Sequence, residues 1–222
     1  MSKESYTYTI GIDEAGRGPL AGPVSVGVVG IPAEHQSVVE EMFALLKGRD
    51  SKKWSEKKRE EWFEKICAAR HAGLIVFSGV MVGARTIDEK GIMYAVKSAL
   101  ARGLERLDMN PLHVRVVLDG GLHAPAVYEH QETIIKGDEK EIVIAMASIV
   151  AKVTRDRHMR TLAEKYPTYG FEVHKGYGTA KHYAAIETYG TCEEHRRSFL
   201  KGSGNSRNER GMSRNLHGHN WG

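Results

Sequence analysis

Three times along this chain a short β-favouring run leads into an aspartate. Tyr6 to Ile12 runs into Asp13 and Glu14, Val114 to Leu118 into Asp119, and Ile134-Ile135 through Lys136-Gly137 into Asp138. Tyr6 to Ile12 alternates polar and β-favouring residues and reads as a strand, and Val114 to Asp119, a short β-branched run, reads as a buried one, so the acids flank element boundaries. Val24 to Ile31, rich in valine, reads as a neighbour of the first strand across a glycine-rich turn, and Gly73 to Val82 as a further strand. Helical patterns alternate with these strands. Ser55 is placed to cap a helix reaching about His71, in which Trp62, Phe63, Ile66 and Cys67 fall at near-helical spacing. Thr86-Ile87-Asp88-Glu89 has the form of a capping box opening a helix to about Leu107, and Ile142 to about Lys165 has helical composition. Strands and helices mixed without internal repeats predict an α/β core, with a small helical appendage after Pro167.

The chain's 222 residues suffice for one sizeable core, and 41% hydrophobic with 27% charged residues is the balance of a soluble globular protein. No apolar run reaches the roughly 18 to 20 residues that a membrane span needs, and MSKESYTYTI has no apolar signal core, so a cytoplasmic protein without membrane contact is expected. Cys67 and Cys192 lack the close spacing of metal or redox motifs and suit a reducing compartment. A formal net charge of +4 favours a polyanionic partner, because Lys and Arg neutralise phosphates. Beyond Phe199 the sequence is glycine-rich and polar, with little to bury.

Asp13 and Glu14 are adjacent, and adjacent strand residues face opposite ways, so both reach one site only where the strand bends or ends. Gly16 and Gly18 fit such a change of direction. Carboxylates at separated strand ends, with no histidine or cysteine beside them, suit Mg²⁺ or Mn²⁺ rather than structural zinc. With Asp119 and Asp138 added, the set suits phosphodiester chemistry assisted by two metal ions. Taken singly, each acid reads equally well as a surface charge or a turn cap.

GIDEAGRGPLAGPV at 11–24, DSKK at 50–53, VVLDGG at 116–121, KGDEKEIVIAMASIVAKVTRD at 136–156 and HKGYGT at 174–179 together resemble the type 2 ribonucleases H, bacterial ribonuclease HII in particular, in order and over roughly residues 8–199. The resemblance implies a ribonuclease H-like fold, a mixed central sheet flanked by helices, with a catalytic domain over 1–199, its helical appendage from about 167, and a flexible tail over 200–222. It implies Mg²⁺ or Mn²⁺ dependence and hydrolysis of the RNA strand of RNA/DNA hybrids. Cutting 5′ of single ribonucleotides in duplex DNA is implied too, leaving 3′-hydroxyl and 5′-phosphate ends. By position in the motifs, Asp13, Glu14, Asp119 and Asp138 match the family's four catalytic, metal-holding acids. Gly16, Arg17 and Gly18, with Tyr177, match the residues with which the family recognises the ribonucleotide–deoxyribonucleotide junction. Glycines let backbone groups approach the 2′-hydroxyl, the one group that tells RNA from DNA. Read without the resemblance, the glycines form a tight turn and the tyrosine a half-buried wall.

Lys52, Lys53, Lys152, Arg155, Arg196 and Arg197 are candidates to hold phosphates, which position a duplex without reading its sequence. Ser51 precedes a helix in a loop whose free amides attract anions. Arg155 with Asp156 also reads as a structural ion pair, and Lys57, Lys58 and Arg59 as a solvated helix face. His195 reads as a surface histidine or a functional one. The chain departs from the family pattern at Gly121-Leu122-His123, where asparagine is frequent, and at Leu200, where proline is common. His217 and His219 in the tail could bind metal adventitiously. The expected partners are RNA/DNA hybrid and ribonucleotide-containing duplex DNA, bound by a monomer with no obligate protein partner. No sliding-clamp peptide is recognised.

Overall fold

A computed structural model describes residues 6–48 and 54–200. Ser51, Lys52, Lys53, and the expected tail from residue 201 onward lie outside the described residues. A five-stranded sheet is built from β1 (Tyr8–Ala15), β2 (Val24–Pro32), β3 (Val76–Val82), β4 (Val114–Asp119) and β5 (Gln131–Ile134), in the order β3-β2-β1-β4-β5. β1, β2 and β3 pair antiparallel, whereas β4 runs parallel to β1 and β5 parallel to β4, so the sheet is mixed. Among the described residues, no helix is long and apolar enough to cross a membrane.

The helices are α1 (Gln36–Met42), α2 (Glu56–His71), α3 (Ala84–Lys90), α4 (Ile92–Glu105), α5 (Gly137–Lys140), α6 (Ile142–Lys165), α7 (Phe171–His174), α8 (Ala180–Tyr189) and α9 (Arg197–Leu200). One sheet face packs on α6 and α2 through Val29, Val117, Ile66 and Ile149; the other packs on α4 through Val28, Val116, Ala99 and Leu100. α6 is the central element, because its first ten residues are buried on every side. It lies against bare backbone: a Cβ at Gly11 would sit 2.4 Å from the carbonyl carbon of Val143, and one at Gly27 2.1 Å from the carbonyl oxygen of Ala147. After Pro167, α7 and α8 pack back on the end of α6 through Phe171, Tyr169, Met159 and Leu162.

Ser55 caps α2 as expected, its hydroxyl accepting from the Lys58 N–H at 3.2 Å. Two expectations are corrected. Thr86 to Glu89 is no capping box: the helix starts at Ala84, and Gly91 (φ +86°) breaks it into α3 and α4. The Asp88 carboxylate instead accepts the backbone N–H groups of Arg197 and Ser198, at 2.8 and 3.0 Å, and so caps α9. The first strand also extends past Ile12, with Glu14 still paired to Val26 and Ala15 to Ser25. α1 was not anticipated from the sequence.

Candidate active site

The parallel register of β1 and β4 aligns Ile12 with Leu118, so Asp13 and Asp119 follow side by side on neighbouring strands. Strands lie about 4.8 Å apart, and residues in register share a face, here the face of Gly11 and Val117 that meets α6. Asp13 is buried, and its Oδ1 accepts the Glu14 N–H at 2.7 Å. Asp119 Oδ1 accepts the Gly137 N–H at 2.7 Å, which ties the end of β4 to the turn carrying Asp138. Lys136 enters that turn in the left-handed region (φ +54°), and Asp138 is buried in the first turn of α5.

Glu14 behaves differently. The strand neither bends nor ends between Asp13 and Glu14, so alternation sends the glutamate the other way. Its Oε1 pairs with Arg17 Nη1 at 3.1 Å, while Arg17 Nη2 reaches Met93 Sδ of α4 at 3.2 Å. Among the described residues no group of three or more His, Cys, Asp or Glu side chains is arranged to hold a metal ion by itself. The donor chemistry still fits a hard divalent cation. Asp13, Asp119 and Asp138 offer only oxygen, and Mg²⁺ takes one or two carboxylates and fills its remaining positions with water and phosphate.

Residues 16–23 form the loop after β1, and two buried arginines hold it. Gly16 turns the chain at φ +87°. Arg196 donates from Nη2 to the Gly16 carbonyl at 2.7 Å, from Nη1 to Arg17 at 3.0 Å and from Nε to Gly22 at 2.9 Å. Arg155 donates from Nε to Pro23 at 2.8 Å and from Nη2 to Ala21 at 3.1 Å. Both side chains are fully buried, which corrects the expectation that they face phosphates: their donors point at backbone carbonyls inside the protein. Burial pushes the Arg196 guanidinium down to about 9, with Arg155 adding repulsion, and lowers Arg155 as well. Arg155 forms no ion pair with Asp156, whose partners are Lys152 at 2.6 Å and Arg59 at 3.3 Å.

A cavity of about 480 Å³ opens beside the loop, lined by Glu14 and Gly16 on one side and by Arg59, Lys152, Lys175 and Tyr177 on the other. Of the four acids, only Glu14 lines it. Burial lowers the Lys152 pKa, an effect partly offset by Asp156. Tyr177 is 42% exposed, with the Arg155 guanidinium 5.8 Å from its ring centroid. Gly18 has open space where a side chain would stand. Arg197 is not brought to this cavity: it is exposed in a second one, of about 460 Å³, with Asp88, Glu193 and Glu194. Lys57 and Lys58 are solvated as expected, but Arg59 is buried, and this corrects the reading of all three as a solvated face. Its spacing to Trp62, Phe63 and Ile66 places it on the buried stripe of α2, a signal the sequence did carry. Lys175 has no such signal; it follows α7 in the left-handed region (φ +49°) and is buried, with its Nζ 3.1 Å from Glu56 Oε2. His195 is buried as well, not at the surface.

Comparison with known proteins agrees with this fold. The family model described as Ribonuclease HII matches residues 10–202. A protein named Ribonuclease HII from Caldicellulosiruptor bescii is 44% identical over 201 residues, 90% of each chain. The solved PCNA:RNase HII complex from Archaeoglobus fulgidus contains a chain that is 26% identical, with a TM-score of 0.67 over 85% of this chain and 93% of that one. The crystal structure of ribonuclease H2 from Pyrococcus horikoshii has the same fold at 24% identity, with a TM-score of 0.66 over 86% of this chain and 93% of that one.

Proposed function

Given that the chain belongs to the ribonuclease HII family and has the ribonuclease H fold, we propose that it is a metal-dependent endonuclease that cuts 5′ of ribonucleotides in duplex DNA and hydrolyses the RNA strand of RNA/DNA hybrids. The observation that carries this reading is the side-by-side position of Asp13 and Asp119 at adjacent parallel strand ends, with Asp138 fixed beside them through the Gly137 N–H. Asp13, Asp119 and Asp138 would hold divalent ions, Mg²⁺ or Mn²⁺, with Glu14 as the fourth acid that membership of the family supplies. Such ions supply activation of the attacking water and stabilisation of the leaving 3′ oxygen. The water oxygen forms the new bond to phosphorus as the bond to the upstream 3′ oxygen breaks, so the products carry 3′-hydroxyl and 5′-phosphate ends.

The protein's own part is positioning and recognition. Backbone groups of Gly16, Arg17 and Gly18 lie in a turn whose carbonyls are engaged from behind by Arg196, which leaves the outer face free for a 2′-hydroxyl. Tyr177 would stack on the next sugar and disfavour a second 2′-hydroxyl there. Lys152, with Arg59 and Lys175, makes the cavity wall cationic and suits a phosphate. Removal of misincorporated ribonucleotides and of RNA primers in the cytoplasm is the role this chemistry serves.

The test is cleavage of a labelled DNA duplex holding one ribonucleotide, beside a continuous RNA/DNA hybrid and an all-DNA duplex, with Mg²⁺, Mn²⁺ or chelator. A metal-dependent cut just 5′ of the ribonucleotide supports the reading. Cutting of the long hybrid alone would move the chain to the hybrid-preferring branch of the fold, and absence of any cut would sink the assignment.

A further inference from the structure

Three histidines lie beneath the loop that carries Tyr177; His174 touches the lining of the cavity, His182 and His195 do not, and the proposed chemistry does not use the acid–base character of any of them. His174 ends α7, His182 lies in the first turn of α8, and His195 precedes α9; their side chains are buried among Tyr169 and Phe171. The rings of His174 and His182 stack with centroids 4.4 Å apart, and those of His182 and His195 are 5.2 Å apart.

Backbone partners fix the proton on each ring. The Cys192 N–H donates to His195 Nδ1 at 3.0 Å, so that nitrogen is an acceptor and the proton of the neutral ring is on Nε2. His195 Nε2 is 3.1 Å from His182 Nε2, which must therefore accept, leaving the His182 proton on Nδ1. His182 Nδ1 then donates to the Tyr177 carbonyl at 2.9 Å. His174 obeys the same logic: its Nδ1 accepts from the Gly176 N–H at 3.2 Å, so Nε2 donates to the Tyr169 carbonyl at 2.7 Å. A directed chain thus runs from the Cys192 amide through His195 and His182 to the backbone of Tyr177. The other tautomer of either ring, or a protonated His182, would set two donors or two acceptors against each other at 3.1 Å, and a protonated His195 would turn an Nδ1–H against the Cys192 N–H at 3.0 Å.

We propose that His182, backed by His195, is a positioning residue for Tyr177. By holding its carbonyl, the histidine chain fixes the height and direction of the tyrosine ring over the cavity, and with it the discrimination between an isolated ribonucleotide and a continuous RNA strand. The inference rests on the junction-reading role given to Tyr177 above. The ring itself is only half-buried and packs against Arg155, so its backbone is what anchors it. Tyr177 N–H donates to the His174 carbonyl at 2.9 Å, and Thr179 N–H shares the Tyr177 carbonyl at 2.8 Å. The groups facing the chain are Tyr169, Phe171 and Cys192, whose Sγ is 3.2 Å from His195 Nδ1. No carboxylate bonds to any of the three rings among the described residues, and burial holds both His182 and His195 below the usual histidine range.

Two measurements test this. Nitrogen NMR of the histidine-labelled full chain near neutral pH should find His182 as the Nδ1–H tautomer and His174 and His195 as Nε2–H. A different assignment at His182 or His195 overturns the chain without touching the role of Tyr177. Kinetics then compare kcat/KM for a single-ribonucleotide duplex with that for a continuous hybrid in His182→Asn, His182→Gln and His182→Leu, beside Tyr177→Ala. An Asn amide can stand where Nδ1 stands and should keep the ratio near that of the parent. Gln, whose amide reaches the Nε2 position, and Leu should lower it about five- to tenfold, as expected for one buried hydrogen bond. Equal ratios in all three histidine variants, with the ratio altered in Tyr177→Ala, overturn the positioning role. An unaltered ratio in Tyr177→Ala overturns the reading of the tyrosine, and this inference with it. Should the leucine variant fail to fold, the contrast between Asn and Gln decides.

Discussion

The two halves of the candidate site are held in opposite ways. Asp13 and Asp119 stand on adjacent strands whose hydrogen-bond ladder sets their spacing, and Asp138 follows one residue after the amide bonded to Asp119. The loop of residues 16–23 has no such ladder, only an isolated bridge of Ala21 with His195, in which the Gly22 N–H donates to the Glu194 carbonyl at 2.8 Å and the Arg196 N–H to that of Leu20 at 2.7 Å. The carbonyls of Gly16, Arg17, Ala21, Gly22 and Pro23 are met by guanidinium groups more than 130 residues away in sequence, Arg155 on α6 and Arg196 before α9. The reacting half is thus built into the sheet, and the recognising half is assembled only when the carboxyl-terminal segment docks. Chemistry and stability should separate accordingly: damage to the first half costs turnover, and damage to the second costs the fold around it.

The largest effect is expected from Asp13→Asn. The amide oxygen can still accept from the Glu14 N–H, so the strand is undisturbed, but a neutral ligand loses the charge attraction to a divalent ion. Turnover should fall on the order of a thousandfold, while the melting temperature stays within a few degrees and duplex binding persists. A variant that unfolds instead would erase the contrast. Next comes Arg196→Met, which keeps the apolar stem but leaves the carbonyls of Gly16, Arg17 and Gly22 without a donor. Each such loss in a buried setting costs about 1–3 kcal/mol, so denaturant unfolding should show a loss of about 3–5 kcal/mol. Stability unchanged by this substitution would mean that the loop holds itself.

The same contrast explains what could be read in advance. Strand ends, acids and the capping serine are local signals, and the position of Asp119 beside Asp13 follows once β4 is known to run parallel to β1. The pairing of Arg196 with Gly16 joins positions 180 residues apart and carries no periodic trace, so the arginine looked like one more cation for phosphate. Burial reversed the reading, because a guanidinium with nowhere to ionise into solvent serves the nearest carbonyls. The opposed faces of Asp13 and Glu14 were the local exception. The sequence GIDEAG suggested a bend that the continued pairing of Glu14 with Val26 rules out.

A third test acts on the recognising half through pH. Burial, with His182 close by, holds His195 down to about 4 from an ordinary 6.5. The unfolded chain therefore binds a proton on this residue before the folded one does. The stabilisation from the neutral ring is complete above about pH 6.5 and is lost as pH falls from there toward 4. It amounts to on the order of 3 kcal/mol across that window. Unfolding free energies measured at intervals between pH 7 and 4 should therefore decline more in the parent than in His195→Gln, and parallel declines would show that the histidine chain carries no such linkage.

The smallest effect is expected two residues from Arg155 on the same helix. Arg157 also points its guanidinium at oxygen, pairing with Glu60 at 2.6 Å and Glu64 at 3.1 Å, and it lies 4.6 Å from the Phe63 ring centroid. Its side chain is 44% exposed, however, so water replaces each contact when it is lost, and counter-ions screen the pair that remains. Arg157→Ala should cost about 1 kcal/mol or less, falling further in high salt, with cleavage unchanged. The size of this effect gauges the distinction drawn above. If Arg157→Ala destabilised as much as Arg196→Met, the number of oxygen partners would be the controlling variable. A difference of several-fold assigns control to burial, because only the enclosed arginine leaves its carbonyls with no substitute donor.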